Sequence, residues 1–286
     1  MDLVVGLVTD LHFGPEARFG GKLRKLTAQA PSLLRAFVKR MNEDVRPDLV
    51  VNLGDDLEDE SRALDLERYR EVMAIFGELK APVLHVAGNH DTVHLTPEDL
   101  VGLWGRPPGS SLYYAIDFGG YRIIVLHTVE TKDVSVTIDE AQLAWLEDEL
   151  RACRSPVLVM MHHAAADQHL GGNRWFEGLP HICLVRQRAR LRAILEASGR
   201  VVAVFNGHLH WNHLDVVQGI PYVTLQSLIE NVEEDAPGRP AAAHAVVRLT
   251  PRRLLVEVEG AERARYQVIP PPGVPRPQSS GRPTGE

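Results

Sequence analysis

Pro82-Val83-Leu84-His85-Val86-Ala87, followed at once by Gly88-Asn89-His90-Asp91, is the stretch whose reading decides the fold. The apolar run has the length of a short buried strand. The glycine marks a sharp turn at the strand's end. An amide, an imidazole and a carboxylate then follow in succession. Polar, ligand-capable side chains at the carboxyl end of a buried strand are costly for packing alone. In open α/β sheets that edge is where ligands bind.

The same arrangement recurs on both sides. Leu3–Val8 reads as a strand and runs into Asp10 and His12; Leu49–Leu53 runs into Gly54-Asp55-Asp56. Helical spacing of Leu33, Leu34, Phe37, Val38, Met41 and Val45, stopped by Pro47, separates these two strands. A second helix over about 63–79 separates Asp55 from the Gly88 strand. The order β-α-β-α-β implies neighbouring parallel strands with right-handed crossovers. Farther along, 112–118 and 121–126 alternate around Gly119-Gly120 as a hairpin. A helix over about 139–152 and the run 156–161 lead to His162-His163. A helix over 185–198 and a strand over 201–205 lead to His208 and His210. Strand-like segments at 222–225, 245–249 and 254–258 close the fold. The reading gives one domain over residues 1–269. Residues 270–286, rich in Pro, Gly and Ser, are expected to be a disordered tail.

Composition narrows the class. With 286 residues, 44% of them apolar and 24% charged, the chain suits a soluble globular domain with a sizeable core. A net charge of −7 weighs against nucleic acid as a partner. Cys153 and Cys183 form no C-x-x-C pair, so neither a disulfide framework nor a thiolate site is expected. Gly20-Gly21-Lys22 is not a P-loop, because Glu16 and Leu23 stand where Gly and Ser or Thr are required. Leu3–Val8 is too short for a signal core or a membrane span, so no membrane partner and a cytoplasmic location are the expectation.

Five strand ends thus carry Asp10 and His12, Asp55, Asn89 and His90, His162 and His163, and His208 and His210. A lone His or Asp at a strand end is more often a cap or a satisfied polar group; five in this order are not. Oxygen and nitrogen donors without sulfur suit Mn, Fe, Zn, Ni or Mg. The donors exceed what one ion needs, so two are expected, with Asp55 the best-placed bridge. Two such ions lower the pKa of a shared water and hold phosphoryl oxygens for in-line attack.

Asp10-x-His12, Gly54-Asp55, Gly88-Asn89-His90-Asp91, His162-His163 and Gly207-His208-x-His210 together resemble the signature of the calcineurin-like metallophosphoesterases, over roughly residues 1–260. Two branches look closest: cyclic-nucleotide-phosphodiesterase-like proteins and Mn-dependent ADP-ribose/CDP-alcohol diphosphatases. The resemblance implies an α/β fold, a four-layer α/β/β/α sandwich with two mixed sheets, around two metal ions. It implies Asp10, His12, Asp55 and His210 on one metal, and Asp55, Asn89, His162 and His208 on the other. It places His90 against the substrate phosphate. Asp91 is expected to orient His90 or a ligand, or to cap a helix. His163 is the alternative to His162 as ligand and otherwise a substrate-side residue. Ala164 stands where the family often has Pro, and Asp56 where it usually has an apolar residue.

Two long loops, 13–30 and 164–184, are expected to choose the substrate through Arg18, Arg174 and Trp175. Cations beside aromatic faces suit an anionic ligand with a flat part. The expectation is hydrolysis of a small phosphodiester or nucleotide-type pyrophosphate. A phosphomonoesterase, a nuclease and a non-catalytic scaffold are the alternatives.

Overall fold

The computed structural model describes residues 2–16 and 18–277. Its strands are β1 (Leu3–Val8), β2 (Leu49–Asn52), β3 (Val83–His85), β4 (Tyr114–Phe118), β5 (Tyr121–Val125), β6 (Val129–Glu130), β7 (Val136–Thr137), β8 (Val157–Met160), β9 (Val201–Asn206), β10 (His213–Val217), β11 (Ile220–Thr224), β12 (His244–Thr250), β13 (Arg253–Glu259) and β14 (Ala264–Val268). The helices are α1 (Ala30–Arg40), α2 (Arg62–Phe76), α3 (Pro97–Leu103), α4 (Glu140–Ala152) and α5 (Arg188–Ser198).

One sheet has the order β14-β13-β12-β1-β2-β3, the other β10-β11-β9-β8-β5-β4, and β6-β7 form a small ribbon. In the first sheet β1, β2 and β3 are parallel and β12 joins β1 antiparallel. In the second, β5, β8, β9 and β11 are parallel, with β4 and β10 antiparallel at the edges. Both sheets are mixed, as the sequence reading expected.

Strand alternation builds the layers. Val5 and Leu7 of β1, with Leu49 and Val51 of β2, point between the sheets and meet Ile123, Val125, Leu158 and Met160. Their neighbours Val8 and Val50 point outward against Leu34, Phe37, Val72 and Phe76 of α1 and α2. On the second sheet Ile124, Val157 and Val159 point outward against Leu143, Leu146, Leu191 and Leu195 of α4 and α5. The result is a four-layer α/β/β/α sandwich.

Some boundaries differ from the reading. The α-helical part of the first helix ends at Arg40 and opens into a wider turn, Met41–Val45, closed by Arg46 in a left-handed conformation before Pro47. Strands β10 and β14 were not expected. Both are edge strands with half-exposed residues; β10 lacks apolar alternation, while β14 alternates, with Ala264 and Tyr266 on the core. The expected disorder from Pro270 is corrected for its first part: residues 270–277 are described, and Val274 packs against the core between the sheets. Residues 278–286 lie outside the described residues. No helix among the described residues is long and apolar enough to cross a membrane.

Candidate metal centre

The carboxyl ends of β1, β2 and β3 in one sheet meet those of β8 and β9 in the other at a single edge of the sandwich. The turns after β1, β2 and β9 bend abruptly. Asp10, His12, Asp55, His208 and His210 all have positive φ, between 46° and 66°. They are five of the nine non-glycine residues with positive φ among those described. Such strain collects where side-chain aim outranks backbone comfort.

Two glycines give the turns room. A Cβ on Gly88 would collide with the Asp55 carboxylate and backbone, and one on Gly207 with Thr9 Oγ1 and Asp10. Gly88 is therefore needed for close approach, not for the sharp turn the sequence suggested; its φ is not positive.

The predicted ligand residues converge. Asp10, His12 and His210 form one cluster, and Asp10, Asp55 and His162 another, the donor atoms of each lying within 4.8 Å of one another. His210 Nε2 is 3.4 Å from Asp10 Oδ1. His162 Nε2 is 3.2 Å from Asp55 Oδ2, and His12 Nε2 is 3.9 Å from the same oxygen. Asp10 belongs to both clusters, and Asp55 of the second reaches His12 of the first through the same oxygen that meets His162. His162, His163 and His208 form a further group.

The donor atoms suit cations. Asn89 Oδ1 and His163 Nε2 are buried with no hydrogen-bond partner among the described residues, and His162 Nε2 has only the Asp55 carboxylate beside it. Buried polar atoms are seldom left so. His12 Nε2 and His210 Nε2 face each other at 3.2 Å. On the far side of each ring Nδ1 meets a carboxylate: Glu58 at 3.0 Å from His12, Glu230 at 2.7 Å from His210. Those carboxylates hold the protons on Nδ1 and leave both Nε2 lone pairs toward the shared space. His162 Nδ1 is likewise fixed by Leu53 O at 2.8 Å.

Charge in the cluster is uneven. Burial would raise the Asp10 carboxyl, but the neighbouring His210 holds it well below its usual value. Burial opposes ionisation of Asp55 too, yet His162 and His90 keep its carboxyl well below the ordinary range. Burial disfavours the charged imidazoles, but Asp55 raises His162 to about 9, and Asp10 and Glu230 raise His210 to about 9. Burial and the Lys25 charge lower His12 to about 4, and burial and His162 lower His208 to about 3. Behind them burial and the Asp55 charge push Asp91 up to about 7, and burial and Asp91 push Asp56 well above its usual value.

Three sequence readings are corrected and one is narrowed. Of the roles expected of it, Asp91 does not hold His90 but does hold the backbone of the predicted ligand Asp55. It is fully buried and accepts hydrogen bonds from the backbone N–H groups of Asp55, Asp56 and Gly88 at 2.8–3.0 Å. It ties two strand ends together. Arg18 pairs with Asp235 at 3.0 Å, and Arg174 donates to the carbonyls of Asn231 and Glu233. Neither lines the cleft; a sequence shows that a long side chain is near a site, not where its head docks. His163 is fully buried, bonded through Nδ1 to Thr128 at 2.8 Å, and does not face substrate space.

The cleft above the clusters holds about 290 Å³ and is lined by His12, Asp55, Asn89, His90, His208 and His210, with Phe19, Lys25, Glu130, Val134, Trp175, Phe176 and Ile182. Trp175 does line it. Asn173 Oδ1 accepts from the backbone N–H groups of Trp175 and Phe176, both at 2.9 Å, which sets the two rings. Trp175 lies 4.9 Å from Phe19 and 5.3 Å from His210 between ring centroids. Phe176 stacks on His208 at 4.7 Å. His90 also faces the cleft; its Nδ1 is 2.6 Å from Asp59, and its backbone N–H donates to Asp55 Oδ1. Glu58, Asp59, Lys25 and Glu230 were missed. The pattern Gly54-Asp55-Asp56-Leu57-Glu58-Asp59 carried an acidic excess that signalled the first two; nothing local marked Lys25 or Glu230.

Comparison with known proteins points the same way. Residues 3–212 match the family model described as calcineurin-like phosphoesterase. A protein of Synechococcus, named a probable cyclic nucleotide phosphodiesterase, is 34% identical over 57% of this chain and 58% of its own. Another so named, from Fibrobacter succinogenes, is 25% identical over 73% of each chain. The match thus spans little more than half the length of the first relative. Among solved structures, a dimetal phosphatase from Danio rerio has a TM-score of 0.74 at 19% identity, over 93% of this chain and 98% of that one. The purple acid phosphatase of yellow lupin seeds has a TM-score of 0.64 at 13% identity, over 95% and 54%. At those identities the likeness is one of fold.

Proposed function

We propose that this chain, which belongs to the calcineurin-like phosphoesterase family, binds two metal ions and hydrolyses a small phosphodiester or nucleotide-type pyrophosphate. The family makes it a metal-dependent phosphoester hydrolase. The observation that supports the two-metal assignment is the Asp55 carboxylate, whose Oδ2 reaches His12 of one donor cluster and His162 of the other. Asp10, His12, His210 and Asp55 would hold one ion, and Asp55, Asn89, His162 and His208 the other. When bound, the pair supplies Lewis-acid charge and a water acidic enough to act as nucleophile near neutral pH.

The chain's own groups do the rest. His90, opening on the cleft with Asp59 at its Nδ1, presents its other nitrogen to the substrate. From there it stabilises charge on the phosphoryl group or hands a proton to the leaving oxygen. Asp59 holds the ring's tautomer and aim. Asp91 keeps the Asp55 and Gly88 turns in register. Phe19, Trp175 and Phe176 form an apolar wall that accepts a flat organic group.

That wall supports a diester or nucleotide-type substrate over a simple monoester, and the names of the relatives support the same class. Comparing kcat/KM for bis(p-nitrophenyl) phosphate, p-nitrophenyl phosphate and ADP-ribose tests it. A clear preference for the monoester would refute the substrate reading. A preferred diester with unchanged kinetics in Trp175→Ala would remove the role of the aromatic wall.

A further inference from the structure

Among the described residues that line the cleft, Lys25 is the one lysine or arginine. It is 4% exposed. Its Nζ donates to Glu58 Oε2 at 2.8 Å and stands over the rings of Phe19 and Trp175, 5.1 and 5.5 Å from their centroids. Glu58 is shared: the same Oε2 meets His12 Nδ1 at 3.0 Å. An ammonium has three donors. Glu58 takes one. The others face the two ring faces and the cleft; Nζ also passes 3.4 Å from His12 Nδ1, whose own proton goes to Glu58. Glu58 balances the ammonium charge, and the donors that Glu58 does not take are placed to meet an anion in the cleft.

Position defines that anion. Lys25 approaches the Nδ1 side of His12, and His12 Nε2 points the other way, toward His210. Lys25 therefore stands one imidazole ring aside from the donor clusters. An anionic group at Lys25 is a neighbour of the group held at the clusters, not the same one.

We propose that Lys25 is the subsite for a second phosphate, so that the cleft takes two linked anionic phosphates, as in a nucleotide-type pyrophosphate, over a singly charged diester. This deepens the dinuclear phosphoesterase reading and rests on it. The test compares ADP with AMP, which differ by one phosphate, as inhibitors of bis(p-nitrophenyl) phosphate hydrolysis by the metal-loaded protein. Wild type binds ADP more tightly than AMP. Lys25→Met lowers ADP affinity about 10–100-fold more than AMP affinity, the scale of one charge-assisted hydrogen bond. An equal loss for both nucleotides overturns the proposal, because Lys25 then acts only through Glu58 and His12. An unchanged ADP-to-AMP ratio overturns it as well. If Lys25→Met does not fold, Lys25→Met/Glu58→Gln removes the buried pair together and is read by the same ratio. If wild type hydrolyses no ester, the enzymatic reading fails, and calorimetric titration of ADP and AMP into the same proteins still decides the role of Lys25.

Discussion

Glu230→Gln isolates one link in the site. Glu230 is 2% exposed, and its Oε2 accepts from His210 Nδ1 at 2.7 Å and from Trp175 Nε1 at 3.0 Å. Glutamine has the same shape, and its amide oxygen can keep both contacts. The charge is lost, and with it the ion pair to Arg174, whose Nη1 is 3.8 Å from Glu230 Oε1. A hydrogen bond to a charged group contributes about 1.5–3 kcal/mol and a neutral one about 0.5–1.5 kcal/mol. The His210 bond therefore weakens by roughly 1–1.5 kcal/mol, or about tenfold at about 1.4 kcal/mol per decade. That falls at the low end of the roughly 10–100-fold cost seen when a carboxylate behind a ligand histidine is removed. The loss should fall on one metal only, because Glu230 touches His210 and not His162 or His208. Competition with a chelator, followed by metal analysis, would show one site weakened about tenfold and the other kept. Equal weakening of both sites, or no weakening, would refute the link.

His90→Ala should keep both metals and lose roughly 10²–10⁴ in kcat; loss of metal in step with activity would make His90 a ligand. Asp59→Asn should lower kcat roughly tenfold with metal content unchanged, as expected for a residue that only orients an imidazole; an unchanged kcat would remove that role. Gly88→Ala should lose metal and destabilise the protein by roughly 1–3 kcal/mol, because the new methyl has no room beside Asp55; a stable, metal-loaded variant would contradict the geometry. In the metal-free protein His162 and His210 have pKa values raised to about 9. Their ion pairs stabilise it fully below about pH 6.5 and fade as pH rises through about 9. Metal must displace those protons, so the rise in Tm on adding metal should grow from pH 6 toward pH 9; a rise that is flat or shrinks with pH would contradict it.

The sheets and the donor residues were legible because both follow short-range rules. A buried strand is an apolar run, and each donor follows its strand within four residues, so order along the chain places Asp10, Asp55, Asn89, His162 and His208 at one edge. The partners that tune them are not local. Lys25 meets Glu58, 33 residues away, and Arg18 meets Asp235, 217 residues away. Sequence shows a cation's presence and not its partner, so Arg18 and Arg174 were read into the cleft and Lys25 was overlooked. The alternatives read for Asp91 show the same limit. Order along the chain could not choose between His90 and a ligand; the turn aims the carboxylate at the backbone N–H groups of Asp55 and Asp56, while Asp59 reaches His90 across 31 residues.

If Asp55 joins two metal ions, elemental analysis of wild type and Asp55→Ala should find two metals per chain in wild type and weakened binding at both sites in the variant. One tightly held metal in wild type, retained in Asp55→Ala, would contradict it.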